Sequence, residues 1–67
     1  MKLKINGEIQ TVDDHIRTVE QLLDARNIGL KCVAVELNGV ILDPAQFVTT
    51  GLSEQDVLEI VSFVGGG

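Results

Sequence analysis

Alternating apolar and polar residues mark the first strand of this chain. Leu3 and Ile5 alternate with two lysines, which is the pattern of a half-buried strand. The dipeptide Asn6-Gly7 follows, and these residues supply the positive φ angles of a tight hairpin turn. We therefore predict a hairpin whose return strand covers residues 8–12. The alternation in the return strand is imperfect, so its register stays open.

A capping box predicts where the helix begins. The Thr18 hydroxyl and the Gln21 side chain are placed to satisfy free backbone amides of a first helical turn. The apolar residues that follow share one helical face, namely Val19, Leu22 and Leu23. We predict a short helix over residues 19–26. Asn27 and Gly29 are both candidates for the left-handed residue that ends it.

The middle of the chain predicts a second hairpin. Residues 32–37 alternate as a strand, and the dipeptide Asn38-Gly39 repeats the turn signal before a brief apolar piece at residues 40–42. The proline after this piece lacks the amide hydrogen that a central strand needs. We expect residues 44–50 to form a turn or short helical segment that places Phe47 in the core.

The last apolar run, residues 57–64, predicts a strand in the centre of the sheet. Its side chains divide between two faces: Leu58 and Ile60 are predicted to face the helix, and Val57, Val61 and Phe63 to face away. One helix cannot cover both faces of a sheet. The second face is therefore either covered by irregular segments or left open as an apolar patch.

The order of elements predicts an α+β fold, in which a mixed sheet of four to five strands packs on one main helix. With 67 residues there is room for one domain. We assign residues 1–64 to this domain and residues 65–67 to a flexible glycine tail.

Composition and charge exclude several kinds of partner. The net charge is −5, and phenylalanines are the only aromatic residues, so nucleic acid is an unfavourable partner. No apolar run reaches the roughly 20 residues that span a bilayer, and the N-terminus lacks the apolar region of a signal peptide. The single cysteine cannot form an internal disulfide. We expect a cytoplasmic protein that does not bind membranes.

The side chains offer no internal active site. His15 has no further histidine or cysteine ligands to share a metal with, and we interpret it as a solvated loop residue. Cys32 begins an apolar strand, where a buried and inert thiol is expected rather than a nucleophile. Gly65-Gly66-Gly67 is no phosphate-binding loop, because no helix follows to present its amides. An enzyme that acts alone is not expected.

The glycine tail has two interpretations. Residues 65–67 carry no side chains, and the α-carboxylate of Gly67 is the distinctive chemical group at this end. A narrow tail on a rigid strand suits entry into a confined site of another protein. The same residues also fit a frayed chain terminus, or extra residues that were added for protein expression.

Two segments, residues 33–39 and residues 56–67, resemble the bacterial sulfur carriers of thiamine biosynthesis, which are ubiquitin-like β-grasp proteins. The resemblance implies that a ubiquitin-activating-type adenylyltransferase uses ATP to join AMP to the Gly67 carboxylate. Sulfur from cysteine, relayed by a cysteine desulfurase, would displace AMP and leave a thiocarboxylate for thiazole synthase. It further implies a monomer without bound cofactors or metal, whose partners contact Val61, Phe63, Val64, Gly65 and Gly66.

Two other classes share this fold and tail. The small subunit of molybdopterin synthase has the same tail chemistry with a different acceptor. A ubiquitin-like modifier joined to lysines, or a docking domain whose tail does no chemistry, is the further alternative. The sequence does not separate these classes, because the shape of the surface determines the acceptor.

Overall fold

The computed structural model describes residues 1–29 and 33–63, and its elements follow the predicted order. The strands and the helix, with a short 3-10 helix before the last strand, are β1 Lys2–Ile5, β2 Glu8–Thr11, α1 Val19–Ala25, β3 Val33–Leu37, β4 Val40–Leu42, the 3-10 helix Pro44–Gln46 and β5 Val57–Ser62. The ends of the elements differ slightly from the prediction. The return strand stops at Thr11, and the last strand stops at Ser62, one residue before Phe63.

The five strands form one mixed sheet in the order β2-β1-β5-β3-β4. The last strand, β5, lies at the centre, parallel to β1 and antiparallel to β3. This arrangement confirms the predicted α+β fold and the central position of the C-terminal strand. Because β5 is also the last strand in the sequence, the chain leaves the sheet from its central strand.

Both Asn-Gly dipeptides form the predicted two-residue hairpin turns. Asn6 and Gly7 have φ angles of 50° and 85°, and the second turn repeats them with 50° and 86°. The register of the first hairpin, which the sequence left open, pairs Ile5 with Glu8 and Lys4 with Ile9. Side chains of the return strand therefore alternate between the two sheet faces as those of β1 do.

Helix α1 begins and ends through specific hydrogen bonds. The predicted capping box is present: the Thr18 side chain accepts from the backbone N–H of Gln21, and the Gln21 side chain accepts from the backbone N–H of Thr18. The helix ends at Ala25, one residue earlier than predicted. Asn27, with φ of 58°, is the left-handed residue. The N–H of Ile28 donates to the carbonyl of Leu23 at 2.9 Å, which closes the last turn.

The core lies between α1 and the face of the sheet that the helix covers. Its buried side chains come from every part of the fold, namely Leu3, Ile5, Val12, Ile16, Val19, Leu22, Leu23, Val33, Val35, Phe47, Leu58 and Ile60. Phe47 is 1% exposed, as predicted. Ile16 lies in a polar stretch of the sequence, between His15 and Arg17, and is nevertheless part of this core. Within residues 1–29 and 33–63, no helix is long and apolar enough to cross a membrane.

Candidate functional site

One face of the sheet is covered by the helix, and the other carries exposed side chains. We call this second surface the open face; its residues are Lys2, Lys4, Ile9, Thr11, Ala34, Glu36, Ile41, Val57, Glu59 and Val61. Along β5, Val57 and Val61 are 41% and 54% exposed, while Leu58 between them is fully buried. Phe63, just beyond the strand, is 58% exposed. Of the two possibilities for this face, the part of the chain that the structure describes leaves it uncovered.

The apolar part of the open face is divided between two shallow grooves. One has a volume of about 260 Å³ and lies beside the lysines of β1, with Ile9 and Val57 among its lining residues. The other has a volume of about 200 Å³ and is lined by Ile41 and Val61. Exposed apolar surface of this kind, rimmed by charges, is typical of a protein interaction site.

Charge on the open face is separated by strand. The lysines lie on β1, whereas Glu36 on β3 and Glu59 on β5 are directly opposite each other. Like charges directly opposite on neighbouring strands reduce stability. The register thus places two glutamates directly opposite each other near the centre of the open face, at some cost in folding free energy.

Side chains from both hairpin turns hold the central strand. The Asn6 side chain bonds the main chain of Ile60, accepting from its N–H at 2.7 Å and donating to its carbonyl at 3.1 Å. At the other end of the strand, Asn38 Oδ1 accepts from the Val57 N–H at 2.9 Å. Because both turns hold β5, the direction in which the strand leaves the sheet is fixed by the fold.

The described part of the chain holds no group of side chains suited to metal binding. No cluster of three or more His, Cys, Asp or Glu residues is present in residues 1–29 and 33–63. His15 is exposed in its loop, with Nδ1 3.0 Å from an oxygen of Asp13. This arrangement agrees with a solvated histidine. Cys32 lies outside the described residues, and its predicted burial stays a prediction.

The predicted partner-binding residues divide into two groups. Val61 and Phe63 are described and exposed: Val61 lies on the open face, and Phe63 lies just beyond the end of the same strand. Val64, Gly65, Gly66 and Gly67 lie outside the described residues, so the structure does not test the tail. Sequence reasoning missed the contacts of Asn6 and Asn38 with β5. One signal of these contacts was available in the sequence. Both turns begin with asparagine rather than aspartate, and the asparagine side-chain amide can both donate and accept hydrogen bonds.

Comparison with known proteins gives a consistent result. The ThiS family model matches residues 3–67. The sulfur carrier protein ThiS of Bacillus subtilis (strain 168) is 35% identical over 65 residues, which cover 97% of this chain and 98% of that protein. The crystal structure of the thiamine biosynthesis protein (ThiS) from Geobacter metallireducens is 38% identical, with full coverage of both chains and a TM-score of 0.82.

A further relative is much longer than this chain. The thiazole synthase of Paramagnetospirillum magneticum (strain ATCC 700264 / AMB-1) is 40% identical over 67 residues. These residues cover all of this chain but only 20% of that protein. The chain therefore spans about a fifth of the length of that thiazole synthase.

Proposed function

The chain belongs to the ThiS family, and on that premise we propose that it is a sulfur carrier of thiamine biosynthesis whose Gly67 carboxylate carries the sulfur atom. The observation that carries the proposal is the match to B. subtilis ThiS over nearly the whole length of both chains. The fold agrees with it, because the central strand β5 runs directly toward the predicted tail.

The proposed chemistry takes place on the main chain at Gly67. A carboxylate is a poor electrophile, so a ubiquitin-activating-type adenylyltransferase first joins it to AMP from ATP and releases pyrophosphate. A cysteine desulfurase takes sulfur from cysteine as an enzyme-bound persulfide, and the outer sulfur of this persulfide displaces AMP. A second thiol then cleaves the resulting S–S bond, which forms a disulfide and leaves the thiocarboxylate on Gly67. This chain is a substrate of these enzymes in the proposal, and Gly65 and Gly66 form a stem without Cβ atoms that fits a narrow channel.

The open face is the proposed docking surface for these partners. Val61 and Phe63 are the large apolar residues of the described chain that lie closest in sequence to the tail, and each exposes about half of its surface. Large apolar residues at such positions often provide most of the binding energy of an interface. Docking through this face would direct the tail into the partner, because the two asparagine turns fix the direction of β5.

The family match favours thiazole formation over the other two classes. A molybdopterin-type carrier and a lysine-linked modifier share the fold, but the relatives that match this chain include ThiS proteins and a thiazole synthase. We therefore propose thiazole synthase as the acceptor of the sulfur. A chain with one cysteine requires no oxidising compartment, so we place this chemistry in the cytoplasm.

Intact-protein mass spectrometry tests the proposal. The chain is incubated with the adenylyltransferase, ATP, cysteine, the desulfurase and a thiol reductant, and its mass is compared with that of the untreated chain. We expect one oxygen to be replaced by one sulfur, with the change confined to the C-terminal peptide. A reaction without ATP is the control and should leave the mass unchanged.

Protein isolated from cells short of thiamine gives the corresponding result in vivo. A sulfur carrier should be found with sulfur at Gly67. A modifier should instead be found as a branch on lysines of other proteins, through an isopeptide bond. Recovery of such branches, with no thiocarboxylate form, would contradict the proposed function.

A further inference from the structure

The main-chain groups of β5 point alternately to its two neighbouring strands. In an antiparallel pair, residues that exchange hydrogen bonds alternate with residues that do not. The N–H of Asn38 donates to the Val57 carbonyl at 2.8 Å, so Val57 is a position that bonds toward β3. Every second residue after it does the same, and the main-chain groups of Glu59 and Val61 therefore also point toward β3. The intervening residues Leu58, Ile60 and Ser62 therefore direct theirs toward β1.

Strand β1 is too short to bond all three of these residues. It pairs with β5 only at its last two positions, where Lys4 is opposite Val57 and Ile5 is opposite Leu58. The chain then turns away at Asn6. The Asn6 side chain takes the place of the next strand residue by bonding both main-chain groups of Ile60.

Ser62 is the first position of β5 that lies beyond both β1 and the Asn6 side chain. Its strand partner is Val33, in a pair of the type without hydrogen bonds. Within residues 1–29 and 33–63, no hydrogen bond joins Ser62 to a loop, turn or side chain. Among the described residues, the N–H and carbonyl of Ser62 thus have no hydrogen-bond partner, and they form a strand edge on the central strand, beside the exposed Phe63.

We propose that this edge receives an extended segment of thiazole synthase, which pairs with the Ser62 main chain and continues the line of β1. An unpaired strand edge is a template for adding a strand from another protein, and main-chain hydrogen bonds provide the affinity. The inference rests on the proposed function, which identifies the partner. It is continuous with the proposed docking surface, since Val61 and Phe63 flank the edge.

The chemistry of the edge favours a main-chain partner. The groups without partners in residues 1–29 and 33–63 are one amide N–H and one carbonyl, spaced as in a strand, and an extended peptide presents the matching pair. A strand added there would lie about 4.8 Å from β5, the ordinary distance between paired strands.

Amide hydrogen exchange of the wild-type chain, followed by NMR, tests the inference without a mutation. In the free chain, the Ser62 amide should exchange rapidly, whereas the Ile60 amide is already bonded to Asn6. Saturation with purified thiazole synthase should slow exchange at Ser62 at least tenfold and change Ile60 much less. An unprotected Ser62 amide in the saturated complex would overturn the inference.

A pair of substitutions at the same position separates main chain from side chain. Ser62→Pro removes the N–H and fills the edge with a ring, yet it takes no hydrogen bond from the β3–β5 pairing. We expect it to weaken binding to thiazole synthase about tenfold or more, which exceeds the typical effect of losing one net hydrogen bond. Ser62→Ala keeps the main chain and should bind within twofold of wild type.

Sulfur loading keeps this inference distinct from the proposed function. If Ser62→Pro and Ser62→Ala bind equally well while wild-type Gly67 still gains sulfur, strand addition is wrong and the carrier function stands. If wild-type Gly67 never gains sulfur, the proposed function fails, whatever the exchange rates show. Should Ser62→Pro fail to fold, the exchange measurement on the wild-type chain decides the question alone.

Discussion

Asn6 and Ile60 lie 54 positions apart in the sequence and are joined by two hydrogen bonds. The side-chain amide of Asn6 bonds the main chain of Ile60 as a neighbouring strand residue would. Asn6 also has a positive φ angle of 50°. One asparagine therefore serves both the turn and the central strand, and the first hairpin is linked to the strand that leads to the tail.

Replacing Asn6 with glycine measures this link. Glycine adopts positive φ angles freely, so Asn6→Gly preserves the turn and removes only the two bonds to Ile60. We expect a loss of about 1–2 kcal/mol in the free energy of unfolding, because partly buried main-chain groups lose their partners. Urea denaturation measures the change.

Asn27→Gly is the matched control for this measurement. Asn27 also has a positive φ angle, and its side chain makes no hydrogen bond to the rest of the described chain. We expect its replacement to change stability by less than about 0.5 kcal/mol. Equal effects of the two substitutions would show that the bonds to Ile60 add nothing to stability.

The facing carboxylates of Glu36 and Glu59 predict a stabilising substitution. Glu36→Thr removes the repulsion and introduces a residue that favours strands, so we expect a gain of about 0.2–1 kcal/mol in the free energy of unfolding. The gain should shrink at high salt, which screens exposed charges. Glu8→Thr, opposite Ile5 in β2, removes the same charge without a facing carboxylate. An equal gain in Glu8→Thr would assign the effect to net charge and strand propensity.

Much of the fold could be predicted from the sequence because its signals are local. The Asn-Gly turns and the capping box at Thr18 depend on residues within a few positions of one another, and all of them formed as predicted. Ile16 was missed because its neighbours in sequence are polar, although the fold places it against the core. The contact between Asn6 and Ile60 depends on strands that are distant in sequence, so no local pattern could reveal it.

The candidate site was predictable in part for the same reason. Alternation along the last strand predicted which side chains face away from the helix, and Val61 and Phe63 are indeed exposed. Whether irregular segments cover that face depends on the path of every loop. The free edge at Ser62 depends on where β1 ends relative to β5, which requires the strand register.

Deletion of Gly67 should separate function from folding. Glycine has no side chain to bury, so we expect the free energy of unfolding to change by less than about 0.5 kcal/mol. Adenylation by the partner enzyme should be abolished, because the carboxylate is withdrawn by about 3.5 Å. Pyrophosphate release measures adenylation. A shortened chain that is adenylated at the normal rate would contradict the role of Gly67.

The two phenylalanines provide a matched pair that tests the docking surface. Phe47 is 1% exposed and Phe63 is 58% exposed, so the same substitution should act on different properties. Phe47→Ala should lower the free energy of unfolding by about 3–5 kcal/mol, as expected for a buried phenylalanine. Phe63→Ala should lower it by less than about 1 kcal/mol.

Binding to the adenylyltransferase should show the opposite order. Phe63→Ala removes an exposed aromatic side chain beside the tail, and we expect its affinity to fall by about 1 kcal/mol or more, roughly fivefold or greater. Phe47→Ala, measured at a temperature at which it is folded, should bind as wild type does, because its side chain does not reach the surface. If Phe63→Ala instead lost several kcal/mol of stability with unchanged affinity, Phe63 would be a core residue. The docking surface would then have to be sought elsewhere on the sheet.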